Sequence, residues 1–300
     1  MPLLVSEAEK LSDRDLVRGV IEEIITEEDL FALMPWVETE GKSYDYNREN
    51  TLSEGEFIDP YEVVPEEAST FTEVSTKLKI LAGDVDIDKF TASVKSDKTV
   101  QISTQIAMKA KGMGRKFRRT LAIGDSSVNA KEFDGIKTLT AVDQTLSAGT
   151  NGAALTLSML DELLDAVPNG ADVIMMRPGT IRAFRALLRQ SGGLEPAHVM
   201  VENFARPVLT HNGTIIIENE YMPGDETQGT NEDTCSVYAV RLNEVDGLHA
   251  LFGGGPAGIV FEPIGTVQNK DAERYRLKWY CGTALKSTRS LARIKGVTNV

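Results

Sequence analysis

Few residues in this chain have the types and spacing that chemistry would need. Gly253, Gly255 and Gly258 spell the G-x-G-x-x-G string of dinucleotide sites. That mechanism needs a strand before the string and a helix N-terminus after it, to aim N–H groups at a pyrophosphate. Here Pro256 interrupts and Ile259-Val-Phe261 reads as strand, so a glycine turn is expected. Asp84, Asp86 and Asp88 resemble the front of a calcium loop, whose sixth and twelfth positions should be Gly and Glu. Those positions hold Lys89 and Lys95, so an acidic strand end is expected, free to pair with basic residues elsewhere. His198, His211 and His249 have no zinc-ligand spacing, and neither Cys235 nor Cys281 lies beside them in sequence. Asp161 and Asp165 share one helix face and read as solvated surface. No nucleophile elbow or Walker loop occurs. The expectation is a protein without catalysis, cofactor or metal; the competing reading is a soluble metal-dependent hydrolase using scattered Asp and His.

The charge distribution is more informative than the motifs. The chain has 300 residues and a net charge of −13. Residues 1–70 hold nineteen Asp and Glu against five Lys and Arg, a net of −14, so the whole excess sits in the first quarter. Residues 91–120 carry eight Lys or Arg against one acid, a net of +7. A pI near 4.8 argues against a free-standing nucleic-acid reader, whose domain is normally basic. No apolar run approaches the roughly 20 residues that span a bilayer, and the N-terminus lacks the basic region and apolar core of a signal peptide. Two cysteines without a spacing motif are expected as buried free thiols in a reducing compartment.

The elements that carry these charges follow from periodicity. Val100, Ile102, Ile106, Met113, Phe117 and Leu121 recur at helical intervals, which predicts one long amphipathic helix, capped by Ser96 or Asp97 and ended by Gly124. Leu16, Val17, Val20, Ile21, Ile24 and Ile25 predict a shorter acidic helix, marginal on its own. Val37–Tyr46 and Thr70–Ile80 alternate and read as two strands of a long hairpin with an irregular acidic tip. A two-stranded hairpin is not stable alone in water, so this one must pack on another surface. Further on come a helix capped by Thr156 or Ser158, a strand at 172–177, a helix from Pro178, strands at 213–217 and 235–240, and a strand-rich close. Residues 222–233 read as a long polar loop. Helices and strands mix without a βαβ rhythm, so the class is α+β.

This order of parts resembles the major capsid protein of tailed bacteriophages, the Hong Kong 97-like fold. The resemblance rests on the long basic helix ending in Ile123-Gly-Asp125, on Phe133-Asp-Gly-Ile136, on Asn219-Glu-Tyr-Met-Pro223 before the polar loop, and on Trp279-Tyr-Cys-Gly-Thr-Ala-Leu285. It covers essentially the whole chain. It implies an N-terminal arm (1–35), an E-loop hairpin (36–80), a peripheral domain with the spine helix (81–130), an axial domain (131–259) and return strands of the peripheral domain (260–300). It further implies pentamers and hexamers that close an icosahedral shell around double-stranded DNA, assembled in a bacterial cytoplasm, with no membrane. An encapsulin, the nanocompartment protein of the same fold, is the alternative. Some members of that family lose an N-terminal scaffold segment to a protease; here the arm begins almost at once, so the expectation is either a separate scaffolding protein or an already mature form, and the resemblance also implies a portal as partner. Lys42 is the only lysine between Trp36 and Thr76 and lies near the hairpin base, so no isopeptide crosslink is expected.

The resemblance assigns roles to three groups of residues. Lys109, Lys111, Arg115, Lys116, Arg118 and Arg119 form the basic face of the spine helix, turned to a neighbouring subunit or, non-specifically, to DNA phosphates. Arg48, Glu49, Glu54 and Glu56 are the E-loop contacts. Asp225, Glu226, Asn231, Glu232 and Asp233 belong to a loop at the capsomer centre.

Overall fold

A computed structural model describes residues 30, 33–51, 53, 55–64, 66–89, 98–190, 198–199, 208–254 and 258–299. The expected helix over residues 16–25 and the cap at Ser96 or Asp97 lie outside the described residues. Free of proline and of any acid, the stretch Lys98–Ile123 folds as one helix of 26 residues, α1. Its predicted stripe is the buried one: Ile106, Met113, Phe117 and Leu121 are in the core, joined by Ala110 and Ala122. The Phe117 ring stacks on Trp279 at 4.8 Å and lies 5.1 Å from Phe133 and 5.7 Å from Trp36. Aromatic pairs of this kind contribute about 0.5–1.5 kcal/mol each beyond area burial.

Two glycines let the helix stop where it does. The Gly124 N–H donates to the Thr120 carbonyl at 2.7 Å, and the Gly135 N–H donates to the Gly124 carbonyl at 2.9 Å. A Cβ at Gly124 would lie 2.4 Å from the Phe133 carbonyl oxygen, and one at Gly135 would lie 2.5 Å from that of Thr120. Only hydrogen fits at both positions. The motifs Ile123-Gly-Asp125 and Phe133-Asp-Gly135 are therefore two halves of one backbone contact.

Helix α1 packs on a five-stranded sheet built around β14 (Ala272–Leu285). Strand β4 (Lys79–Asp88) runs along one edge of β14; β13 (Ile259–Thr266) and then β12 (Leu248–Phe252) run along the other. The short β1 (Trp36–Glu38) adds to β12 in parallel. A second sheet of eight strands has the order β5 (Thr145–Ser147), β15 (Leu291–Val297), β11 (Asn231–Val240), β6 (Val173–Met176), β9 (Thr214–Glu218), β8 (Val208–His211) and β7 (His198–Val199), with β10 (Glu226–Gln228) on β11. Helices α3 (Leu157–Asp165) and α4 (Pro178–Gln190) contribute to its apolar core, and the one-turn α2 (Ile136–Leu139) follows α1. Thr156 caps α3, its side chain accepting from the Met159 N–H at 3.2 Å. The last two strands of the chain fall in different sheets, β14 in the first and β15 in the second, so the two sheets are tied by the C-terminal segment.

Three local readings change. Val37–Tyr46 is two strands, because the chain turns at Gly41 (φ +100°) between β1 in the first sheet and β2 (Ser43–Thr51). Thr70–Ile80 also divides: β3 (Thr70–Lys77) pairs antiparallel with β2, while β4 leaves for the sheet after Leu78. Alternation continues unbroken through such a change of sheet, so periodicity does not mark it. Within the expected loop at 222–233, residues 226–233 form a β10–β11 hairpin, with Glu226 paired to Thr234 and Gln228 to Asn231, while 222–225 stay irregular.

Candidate assembly surfaces

The β2–β3 ribbon has no core of its own. Its Tyr44, Tyr46 and Arg48 face lies at the end of β14: the Tyr46 hydroxyl donates to the Leu285 carbonyl at 2.8 Å, and Arg48 donates to the Leu285 and Lys286 carbonyls at 2.7 and 3.0 Å. Arg48, one of the contact residues expected from sequence, is thus bonded inside its own subunit. Glu49 and Glu56 are exposed; Glu54 lies outside the described residues. Beyond the base no described residue of the body supports the ribbon. Phe57, Tyr61, Val63, Val64 and Phe71 are all exposed, and no Lys or Arg occurs between Glu49 and Thr76. A tip that is both apolar and uniformly acidic marks an interaction surface more than a solvated loop.

The six basic residues of α1 divide between internal work and free surface. The Lys109 side chain lies across Gly83 of β4, where any added side chain would collide with it. Lys111 is half-buried and has partners. Lys116 pairs with Glu132 at 2.7 Å. The Arg118 guanidinium sits over the Tyr221 ring at 5.3 Å. Arg115 and Arg119 are exposed and make no hydrogen bond or ion pair among the described residues. One helical turn apart, they share a face with Met108, Gly112 and Ile123, all exposed, and a Cβ at Gly112 would meet nothing within 4 Å.

The basic partners of Asp84 and Asp86 come chiefly from β14, with the Lys109 charge of α1 a smaller influence on Asp84. Arg276 grips Asp84 with two bonds of 2.6 and 2.8 Å, and Arg274 grips Asp86 with two of 2.6 and 2.7 Å, across directly paired positions. These hydrogen bonds, and then the arginine charges, hold both carboxyls below the usual aspartate range. Such fork-on-fork pairs fix register more than they stabilise when exposed.

Of the residues expected at a capsomer-centre loop, Asp225, Glu232 and Asp233 are exposed, while Asn231 accepts from the Asp233 N–H at 3.0 Å. Glu226 is different. It is buried, takes a hydrogen bond from the Ser236 hydroxyl, pairs with Arg293 at 2.9 Å and with Lys137 of α2 at 3.0 Å. Burial pushes its carboxyl up, but Ser236, Arg293 and Lys137 together outweigh that and hold it below the ordinary glutamate range. Glu226 therefore fastens the hairpin to the body instead of pointing from its tip. Sequence reasoning missed Arg293 and Arg274, since a lone arginine inside a strand-like run gives no signal of its cross-strand partner.

The candidate chemical groups are dispersed. His211 Nε2 lies 2.9 Å from Asp161, and His249 is buried on β12. Cys235 and Cys281 are buried free thiols, both pushed up by desolvation. Among the described residues no three His, Cys, Asp or Glu side chains come together as a metal site. The residues after Gly258 form β13, so no helix N-terminus opens there.

No family model and no curated protein matches the chain by sequence. Solved structures do match. The encapsulin of the holo-SrpI complex from Synechococcus elongatus PCC 7942 is 21% identical, with a TM-score of 0.72 over 89% of this chain and 86% of that one. The capsid of an empty GTA particle is 15% identical, with a TM-score of 0.65 over 89% of each chain. A structure of Microbacterium phage Oxtober96 is 11% identical, with a TM-score of 0.64 over 89% of this chain and 90% of that one. At these identities the likeness defines the fold: this is the Hong Kong 97-like fold, shared by phage capsids and encapsulins.

Proposed function

We propose that this chain is the major shell protein of a tailed-phage type particle, self-assembling as pentamers and hexamers into an icosahedral head around double-stranded DNA. The observation that carries the reading is the β2–β3 ribbon, whose apolar, acidic tip has no support among the described residues of its own subunit. A ribbon of this kind gains stability only against another body, and a second copy offers one of opposite charge. Helix α1 has no Asp or Glu from Lys98 to Ile123 and exposes Met108, Gly112, Arg115, Arg119 and Ile123 on one face. Glu49, Glu56 and the further acids of the tip would meet Arg115 and Arg119. Exposed pairs contribute about 0–1 kcal/mol each, so charge selects partner and register while apolar burial supplies affinity. Asp225, Glu232 and Asp233 would lie near the capsomer centre. On this reading the protein resides in the virion capsid after assembly in the bacterial cytoplasm, aided by a separate scaffolding protein and a portal, and meets DNA only non-specifically.

The likeness to the SrpI encapsulin favours a second reading, a nanocompartment shell that encloses a protein instead of a genome. Purified particles decide between them. Nuclease-protected double-stranded DNA supports the capsid, whereas particles holding a co-purified protein and no nucleic acid support the encapsulin. Replacing Phe57 and Tyr61 together by Ser tests the tip: the variant should stay folded, with unchanged circular dichroism, and fail to form particles. Particles at wild-type yield would remove the tip from the account.

A further inference from the structure

His249 is a titratable group of the interior whose Nε2 no pairing among the described residues explains. It sits on β12 with 0% exposure, flanked by Leu248 and Ala250 in register with Leu285 and Thr283 of β14. Its Nδ1 lies 3.4 Å from the Gly247 carbonyl, which makes Nδ1–H the donor in the neutral ring. Nε2 is buried and has no hydrogen-bond partner. The ring meets the Tyr44 ring of β2 edge to face at 5.6 Å, and the Lys286 ammonium lies over that same Tyr44 ring, 5.8 Å from its centroid. The same few residues of β2 hold the ribbon to the body, through the Tyr46 and Arg48 bonds to Leu285 and Lys286. The histidine thus lies under the joint about which the ribbon would swing.

We propose that His249 is a pH-sensitive latch for the β2–β3 ribbon. The neutral imidazole seats Tyr44 and so the ribbon base. The imidazolium would carry a second N–H at Nε2, which has no partner among the described residues, in a site walled by Tyr44 from β2, Lys286 from the end of β14 and the Asn243–Gly247 turn; the Gly247 and Asn243 backbone favours that charge, but less than burial opposes it. Of the charged groups acting there, Lys286 opposes protonation and Glu244 favours it; Arg48 is a further cation on β2. Burial is the largest influence on the ring and disfavours its charged form. A histidine protonated more readily in the open state shifts the balance toward that state by up to about tenfold per pH unit below its ordinary value of about 6.5. The ribbon base should therefore loosen in mild acid while the rest of the subunit stays closed. This latch belongs to the subunit and stands or falls separately from the shell reading.

Hydrogen exchange of the full chain at pH 7.5 and 5.5, corrected for the intrinsic pH dependence, tests it. The reporters are the Leu78 N–H, which donates to the Lys42 carbonyl at 3.0 Å, and the ladder amides around Ser43 and Lys77. Protection there should fall about tenfold in the wild type, with β11 and β15 unchanged. His249→Phe, which keeps an aromatic edge for Tyr44, should abolish the response. Lys286→Met, a half-exposed position that keeps its backbone carbonyl, should weaken it. Equal protection at both pH values in the wild type, or an undiminished response in both variants, overturns the latch.

Discussion

Arg293 and Glu226 are 67 residues apart in sequence and meet at 2.9 Å beneath the β10–β11 hairpin. The same guanidinium donates to Ser236 at 2.9 Å and lies over the Tyr238 ring at 5.7 Å. A hairpin that reads as a free polar loop is thereby bolted to the last strand of the chain and, through Lys137, to the segment that follows α1. The first two predictions follow from this bolt.

Glu226→Ala leaves the largely buried Arg293 without its counter-charge. The expected loss is about 3–5 kcal/mol, and a Glu226→Met, Arg293→Met pair should recover much of it. Urea unfolding of the isolated subunit measures both; a single variant within 0.5 kcal/mol of wild type, by order of magnitude, would contradict the bolt.

The bolt also has a pH signature. The folded Glu226 carboxyl lies below its unfolded value of 4.5, so its contribution is fully present above that pH and is lost as pH falls through the folded value. Thermal midpoints of the wild type should drop in that acid window, below the range in which His249 acts. Glu226→Gln should start lower and respond less to pH there. Parallel curves for the two proteins would assign the acid sensitivity elsewhere.

Glycines on α1 predict opposite outcomes. Gly112 faces open space in the subunit, so Gly112→Ala should stabilise it by about 0.5–1 kcal/mol. Gly124→Ala forces a Cβ against the Phe133 carbonyl and should cost about 1–3 kcal/mol. If α1 receives a neighbour, Gly112→Ala should also reduce particle yield despite the more stable subunit. Thermal melting and particle yield, read side by side, separate the two effects.

How much of this was legible depends on the range of the interaction. The α1 stripe was readable because Ile106, Met113, Phe117 and Leu121 follow a single local period. Trp279 and Phe133 were legible only as parts of the motifs that carry the resemblance, and their burial and contact with Phe117 needed coordinates. The break at Leu78 was hidden because β3 and β4 share one alternation on either side of it. The fates of the charges were hidden for a different reason. Asp84 and Arg276 lie 192 residues apart, and their pairing is set by strand register that no local pattern encodes. Net charge singled out the stretch that folds as α1, yet only Arg115 and Arg119 of its six named cations emerge exposed and without a hydrogen bond or ion pair among the described residues.

Assembly itself is the most direct test. Wild-type protein, expressed alone or with a scaffolding protein, should give closed particles by negative-stain microscopy and a megadalton mass by light scattering. Arg115→Glu with Arg119→Glu should remain a folded subunit or small oligomer. A wild type that stays monomeric at all salt concentrations would contradict the shell reading, and normal particles from the charge-reversed variant would contradict the role given to α1.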